Sequence, residues 1–168
     1  MDRKIEDGNR NDLKTKDLKT KDLKTKDLKT KISGETKLRV RYAETDKMGV
    51  VYHSNFVIWF EVGRVELLRQ LGFQYSDMES EDNCHIPVVD LRVRYKAPAQ
   101  YDDVIVVRTQ IKNVRSSLLH FSYEIFREAD RTLLATGETM HIIVNKNLER
   151  TALPEKYMQA FNGLNQNP

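Results

Sequence analysis

Beyond residue 36 apolar and polar side chains alternate with a period of two. Leu38, Val40 and Tyr42 fall on one side and Arg39 and Arg41 on the other, the pattern of a strand with one buried face. The alternation returns with Val89, Leu91, Val93 and Tyr95 against Asp90, Arg92, Arg94 and Lys96, and the stretch "APAQYDD" ends it. Three more strands are predicted over residues 104–114, 118–127 and 133–145, separated by "RSS" and "EADR", which are short enough for hairpins.

Between the first two strands the period becomes helical. Residues 54–72 put Phe56, Phe60, Gly63, Leu67 and Leu71 on one stripe, with Ser54 placed to cap the start and Gly72 the end. Val57, Trp59, Val65 and Leu68 widen the apolar surface, as expected for a helix covered on several sides by a curved sheet. A glycine inside a helix costs about 1 kcal/mol relative to alanine, so Gly63 predicts a close approach by another backbone. A short helix is predicted over residues 154–161, opening with Pro154. The order of elements gives the α+β class, one long helix packed on one antiparallel sheet of about five strands.

Residues 1–36 read differently. From Asp12 to Lys31 the pentapeptide DLKTK occurs four times without variation. Five residues advance a helix by about 140° beyond a full turn, so Leu13, Leu18, Leu23 and Leu28 spiral and no apolar stripe forms. This stretch is expected to be a disordered low-complexity tail, 1–36, ahead of a domain at 37–168. A weakly basic docking arm for an acidic partner or a membrane surface is the alternative reading.

Charge and cysteine content narrow the function classes. The tail holds 11 Lys/Arg against 8 Asp/Glu, leaving 17 of each in the remainder, and a neutral domain argues against nucleic acid as the partner. A single cysteine, Cys84, allows no intrachain disulfide, and no apolar run approaches the length of a membrane span. A cytoplasmic protein with no membrane span is the expectation. His85, His120 and His141 have no ligand-like spacing with Cys84 or with carboxylates, so no metal and no cofactor are expected. Serine-hydrolase, P-loop and dinucleotide fingerprints are missing from the sequence.

The stretch "RVRYAETDKMGVVYHSNFVIWFEVGRVELLRQLG", continued by "VVDLRVRYKAPAQYDD", "LLATGETMHIIV" and the "LP" at 153 and 154, resembles the hotdog-fold thioesterases of the 4-hydroxybenzoyl-CoA thioesterase type. Within them it is most similar to the bacterial acyl-CoA thioesterase branch associated with the Tol-Pal system. The likeness covers about residues 37–156. It implies the hotdog fold, a helix wrapped by the sheet, homodimers or homotetramers with active sites at the subunit interface, and hydrolysis of an acyl-CoA or of an acyl carrier protein thioester.

The resemblance also assigns roles. Asp46 matches the catalytic carboxylate, acting either as general base on water or as nucleophile, and the N–H of His53 matches the group that polarises the thioester carbonyl. A helix start supplies such free N–H groups. The His53 imidazole is read equally as a substrate-orienting group and as an ordinary histidine near a helix start. Without the motif, Asp46 would read as a turn aspartate. Gly49 lets the loop turn, Tyr52 walls the pocket, and Glu61 is structural. Arg115, Ser116 and Ser117 are candidates for the CoA phosphates, with a solvated hairpin turn as the alternative. Two other functions stay open: an acyl-thioester hydratase, against which the sequence between Asp46 and His53 lacks Asn-Pro, and an acyl-CoA or acyl-carrier-protein binding module with little turnover.

Deleting residues 1–31 is expected to leave thioester turnover unchanged, because the repeat supplies neither core nor pocket. A large fall in kcat for a folded truncation, followed by thiol release, would contradict that expectation.

Overall fold

Five strands form one antiparallel sheet in the order β1-β3-β4-β5-β2: β1 Ser33–Arg39, β2 Val88–Tyr95, β3 Val104–Arg115, β4 Leu118–Arg127 and β5 Leu133–Ile142. They belong to a computed structural model that describes residues 32–163, so the four repeats lie outside the described residues. The last three strands are the expected meander. Ile105, Val107, Ile111, Leu119, Phe121, Tyr123, Ile125 and Ala135 are buried and make the sheet's share of the core.

Two expectations at the first strand change. Ser33 already pairs with Gln110, so the boundary drawn after residue 36 falls inside β1. "SGET" carries no apolar alternation; the backbone ladder to β3, the Glu35–Arg108 ion pair and the Gln70 amide on the Glu35 carbonyl recruit it. Tyr42, expected on the buried face, is 78% exposed in a 3-10 turn, Tyr42–Glu44. The strand stops because Glu44 N–H turns back to the Arg41 carbonyl at 3.0 Å.

Helix α1, Asn55–Gln70, lies across the sheet and buries Phe56, Trp59, Phe60, Gly63, Leu67 and Leu68. A Cβ on Gly63 would sit 2.5 Å from Thr109 Oγ1 and 2.7 Å from Val107 Cγ1 of β3. The close approach is made, but by side chains of the sheet and not by a backbone, because the pleat of β3 points Val107 and Thr109 at the helix. On β5, a Cβ on Gly137 would fall 2.3 Å from the Phe60 ring. The helix ends at Gly72, whose φ of 86° lets its N–H reach the Arg69 carbonyl while Phe73 N–H reaches that of Leu68, a paired closure that glycine favours. Ser54 holds the N-cap position but its side chain makes no capping bond.

Two short helices complete the fold, α2 Tyr75–Ser80 and α3 Glu155–Gly163. The sequence pattern did not reveal α2, whose six residues bury only Met78. Helix α3 starts one residue after Pro154, and its Tyr157 packs edge-on against Phe73 at 4.8 Å.

β2 departs furthest from its expected pattern. Val89, Leu91 and Tyr95, read as a buried face, are 51%, 38% and 48% exposed. Among the described residues the strand pairs only with β5 and forms the edge of the sheet; Val93 packs against the core, while Val89 and Leu91 are left largely uncovered.

The core also holds polar groups. Arg64 of α1 is buried, and its guanidinium acts on Tyr123 and on His141. His141 contacts the Ile86 carbonyl through Nδ1 at 2.9 Å and the Thr139 hydroxyl through Nε2 at 2.8 Å. Burial, reinforced by the Arg64 charge, pushes the imidazole down to about 4. Between about pH 6.5 and that value the unfolded chain binds a proton that the folded chain refuses, so stability falls as pH falls through this window, by on the order of 3 kcal/mol. Urea unfolding across that range should follow this slope in the wild type, and His141→Gln should flatten it.

Candidate active site

The segment from Glu44 to Tyr52 is a small hairpin. Tyr52 N–H donates to the Glu44 carbonyl at 2.9 Å, Thr45 pairs with Val51, and Asp46 N–H donates to the Val50 carbonyl at 2.9 Å. Three residues turn the corner: Gly49 N–H closes onto the Asp46 carbonyl at 3.0 Å, and Gly49 sits at φ 75°. A left-handed residue in the third loop position is what a three-residue hairpin with a bulge requires, and glycine takes it without strain. Space is not the reason for this glycine, since a Cβ there would meet nothing within 4 Å.

Asp46 is half-buried at the turn. Its Oδ1 accepts the Met48 N–H at 2.8 Å, and Oδ2 has no hydrogen-bond partner among the described residues. The turn-aspartate geometry and the catalytic reading thus coexist, because one oxygen fixes the side chain and the other is left over.

The hairpin leads directly into α1. Asn55 N–H returns to the Tyr52 carbonyl at 3.0 Å, and the Ser54 carbonyl accepts from Val57 and Ile58 at 3.1 and 3.4 Å. Among the described residues the N–H groups of His53 and Ser54 have no acceptor. These are the orphan donors of a helix start, and they carry its positive potential.

Beside them opens a cleft of about 330 Å³ walled by Val51, His53, Phe56, Tyr95, Ala97 and Pro98, with Lys96 also on its wall. The aromatic rings meet edge to face: Phe56 on Tyr95 at 5.3 Å and 80°, His53 on Tyr95 at 6.4 Å and 83°. Tyr95 also donates its hydroxyl to the His53 carbonyl at 3.0 Å, which pins the helix start to the end of β2. The His53 ring lies 4.3 Å from that of the exposed Tyr52.

Of the residues singled out from the sequence, Asp46, Gly49, Tyr52 and His53 share this hairpin and helix start, and His53 alone among them walls the cleft. Arg115, Ser116 and Ser117 lie elsewhere in the chain. They form the β3–β4 turn, where Ser116 accepts from Leu153 N–H at 2.6 Å and Ser117 Oγ from Arg150 Nε at 3.2 Å. That turn is at the far end of a twelve-residue strand, on the order of 35 Å away at about 3.3 Å per residue. Arg92 and Arg94, on the polar side of β2, border a broader concavity of about 610 Å³ together with Arg108, Glu124 and Glu138. Lys112 and Arg108 there are paired with Glu138 and Glu124. Among the described residues no group of three or more His, Cys, Asp and Glu is placed to hold a metal ion.

Sequence reasoning missed Glu44 and Tyr95 as site residues. Tyr95 read as one more member of an apolar strand face. Glu44 sat inside the motif without a role, although the structure buries its carboxylate against the only tryptophan of the chain, Trp59. Burial pushes the Glu44 carboxyl up, and hydrogen bonds from the Arg41 side chain, the Arg41 N–H and the Trp59 indole outweigh it, holding it below the usual carboxylate range.

Residues 40–161 match the family described as the Thioesterase-like superfamily. YneP of Bacillus subtilis (strain 168), named as a candidate acyl-CoA thioesterase, is 40% identical over 125 residues, 74% of this chain and 87% of that protein. The acyl-CoA thioester hydrolase YbgC of Escherichia coli O157:H7 is 34% identical over 125 residues, covering 74% of this chain and 92% of the other. The solved structure of DHNA-CoA thioesterase from Staphylococcus aureus superposes with a TM-score of 0.75 at 35% identity, over 79% of this chain and 90% of that one. With its helix laid across a five-stranded antiparallel sheet, this chain belongs to the Thioesterase-like superfamily and has the hotdog fold.

Proposed function

We propose that this chain hydrolyses acyl-CoA thioesters to the free acid and CoA, with Asp46 as the catalytic carboxylate and the helix start at His53 as the site that polarises the carbonyl. The observation that carries the reading is the junction of the two. One hairpin holds a carboxylate with an unengaged oxygen and runs straight into two unpaired N–H groups beside an aromatic cleft. Hydrolysis needs a group that delivers oxygen to the carbonyl carbon and donors for the oxyanion that results. The departing thiolate needs little protonation, so one carboxylate and one oxyanion site suffice. The apolar walls exclude water from the acyl group, and Lys96 is placed to meet negative charge on the CoA side.

A homodimer completes this site. β2 is an open edge among the described residues bearing exposed Val88, Val89, Leu91 and Tyr95, and two copies paired antiparallel through β2 join their backbones in one continuous sheet and set the two apolar rows side by side. The two-fold axis of such a pair brings the Val88 end of one copy beside the Tyr95 end of the other. The partner's β3–β4 turn then stands about three strand spacings, roughly 15 Å, from the helix start. Arg115, Ser116 and Ser117, remote from Asp46 within one chain, reach CoA phosphates from the partner in this arrangement. A cytoplasmic setting suits this substrate and a chain whose one cysteine is buried and unpaired.

Thiol release from benzoyl, short-chain and long-chain acyl-CoA should drop about a hundredfold or more in Asp46→Asn, with fold and assembly kept, because an amide serves neither as base nor as nucleophile. A folded variant with near-normal turnover sinks the assignment. Arg115→Ala should raise KM roughly fivefold while kcat stays within about twofold, the mark of lost ground-state binding. An unchanged KM removes the turn from the CoA site.

A further inference from the structure

We propose that Glu44 is the positioning residue of this site: it locks the hairpin that carries Asp46 to the first two turns of α1, and so sets where the His53 N–H points. The inference rests on the Asp46 and His53 reading above and adds to it a group that touches neither substrate nor the reacting atoms.

Glu44 accepts five hydrogen bonds, besides donating its own N–H to the Arg41 carbonyl. The carboxylate accepts the Arg41 N–H on Oε2 at 2.7 Å, and on Oε1 it accepts Arg41 Nη2 at 2.9 Å and the Trp59 indole N–H at 3.2 Å. Its carbonyl accepts the Asn55 side-chain amide at 2.8 Å and the Tyr52 N–H at 2.9 Å. Arg41 precedes the 3-10 turn, Tyr52 closes the hairpin, Asn55 is the first residue of α1, and Trp59 lies one turn further on. The donors therefore flank both Asp46 and His53 along the chain. Glu44 itself is 5% exposed, so water cannot replace a lost acceptor at low cost.

Glu44→Gln is a sharp probe of this arrangement. A carboxylate accepts at both oxygens, whereas an amide presents one oxygen and one NH2 group. With Arg41 N–H on one side and the Trp59 indole on the other, whichever way the amide turns it places N–H against N–H. The shape of the side chain is kept and the clamp is broken at one end. Because Trp59 is the only tryptophan, its indole N–H resonance reports this contact directly.

The experiment compares full-length wild type, Glu44→Gln and Asp46→Asn, with kcat expressed per CoA-binding site so that unfolded chains do not count. The expected result for Glu44→Gln is a kcat about tenfold lower with KM within about twofold, because a misplaced oxyanion donor acts on the transition state more than on bound substrate. The indole resonance should shift while the circular dichroism spectrum does not. A folded Glu44→Gln with kcat within about twofold of wild type, beside an inactive Asp46→Asn, overturns the role of Glu44 alone. Normal turnover by Asp46→Asn overturns the site reading and this inference with it. Should Glu44→Gln fail to fold, Asn55→Ala cuts the other end of the clamp with the carboxylate intact. The same fall in kcat at constant KM then supports the proposal, and an unchanged kcat overturns it.

Discussion

The contact between α1 and the sheet is the constraint on which the rest of this molecule depends. It is made at van der Waals distance because the positions that would hold the two surfaces apart carry no side chain. Gly63 lets the helix settle onto Val107 and Thr109, and Gly137 lets Phe60 settle onto β5. A glycine in mid-helix weakens the helix by about 1 kcal/mol, yet the burial of Phe60 and Leu67 beside it, at about 1.5 to 3 kcal/mol for each large apolar side chain, exceeds that cost. Once the helix axis is fixed, so is the place where its first turn ends, and with it the N–H groups of His53 and Ser54.

A second layer of control is polar. At the helix start Glu44 and Tyr95 hold the backbone from opposite sides, one from the hairpin and one from the end of β2. Further along, Arg64, Tyr123, Thr139 and His141 form a polar seam through an otherwise apolar core. Buried polar groups of this kind are tolerated where they find partners, and they restrict how the helix can slide on the sheet. The two seams act on the same helix at different turns.

Much of this was legible from residue order. The meander from β3 to β5 was plain because three long stretches are separated by the short polar turns RSS and EADR, with strict alternation of Leu119, Phe121, Tyr123 and Ile125 in β4. Gly72 announced the end of α1 and Gly49 the turn beside Asp46, since both occupy backbone conformations that glycine alone accepts freely. Helix α2 was not legible, because six residues are too few for a period and Met78 is its one buried side chain. Nor was Tyr42, where the alternation continues in the letters but the backbone turns away. Glu44 was hidden for a different reason: its four partners come from positions 41, 52, 55 and 59, and nothing in a one-dimensional pattern says that they converge.

The bare edge of β2 has a consequence for how the chain reaches its working form. An exposed row of Val88, Val89 and Leu91 on a strand whose outer edge has no partner among the described residues is a template for any extended segment, so the homodimer proposed above would form in a kinetic race with wrong pairings. Both branches speed up with protein concentration, and dilution favours neither. What biases the race is the irregularity between Val88 and Asp90, where the ladder shifts register. A kinked edge accepts fewer alignments than a flat one, so the defect in the strand works as a key.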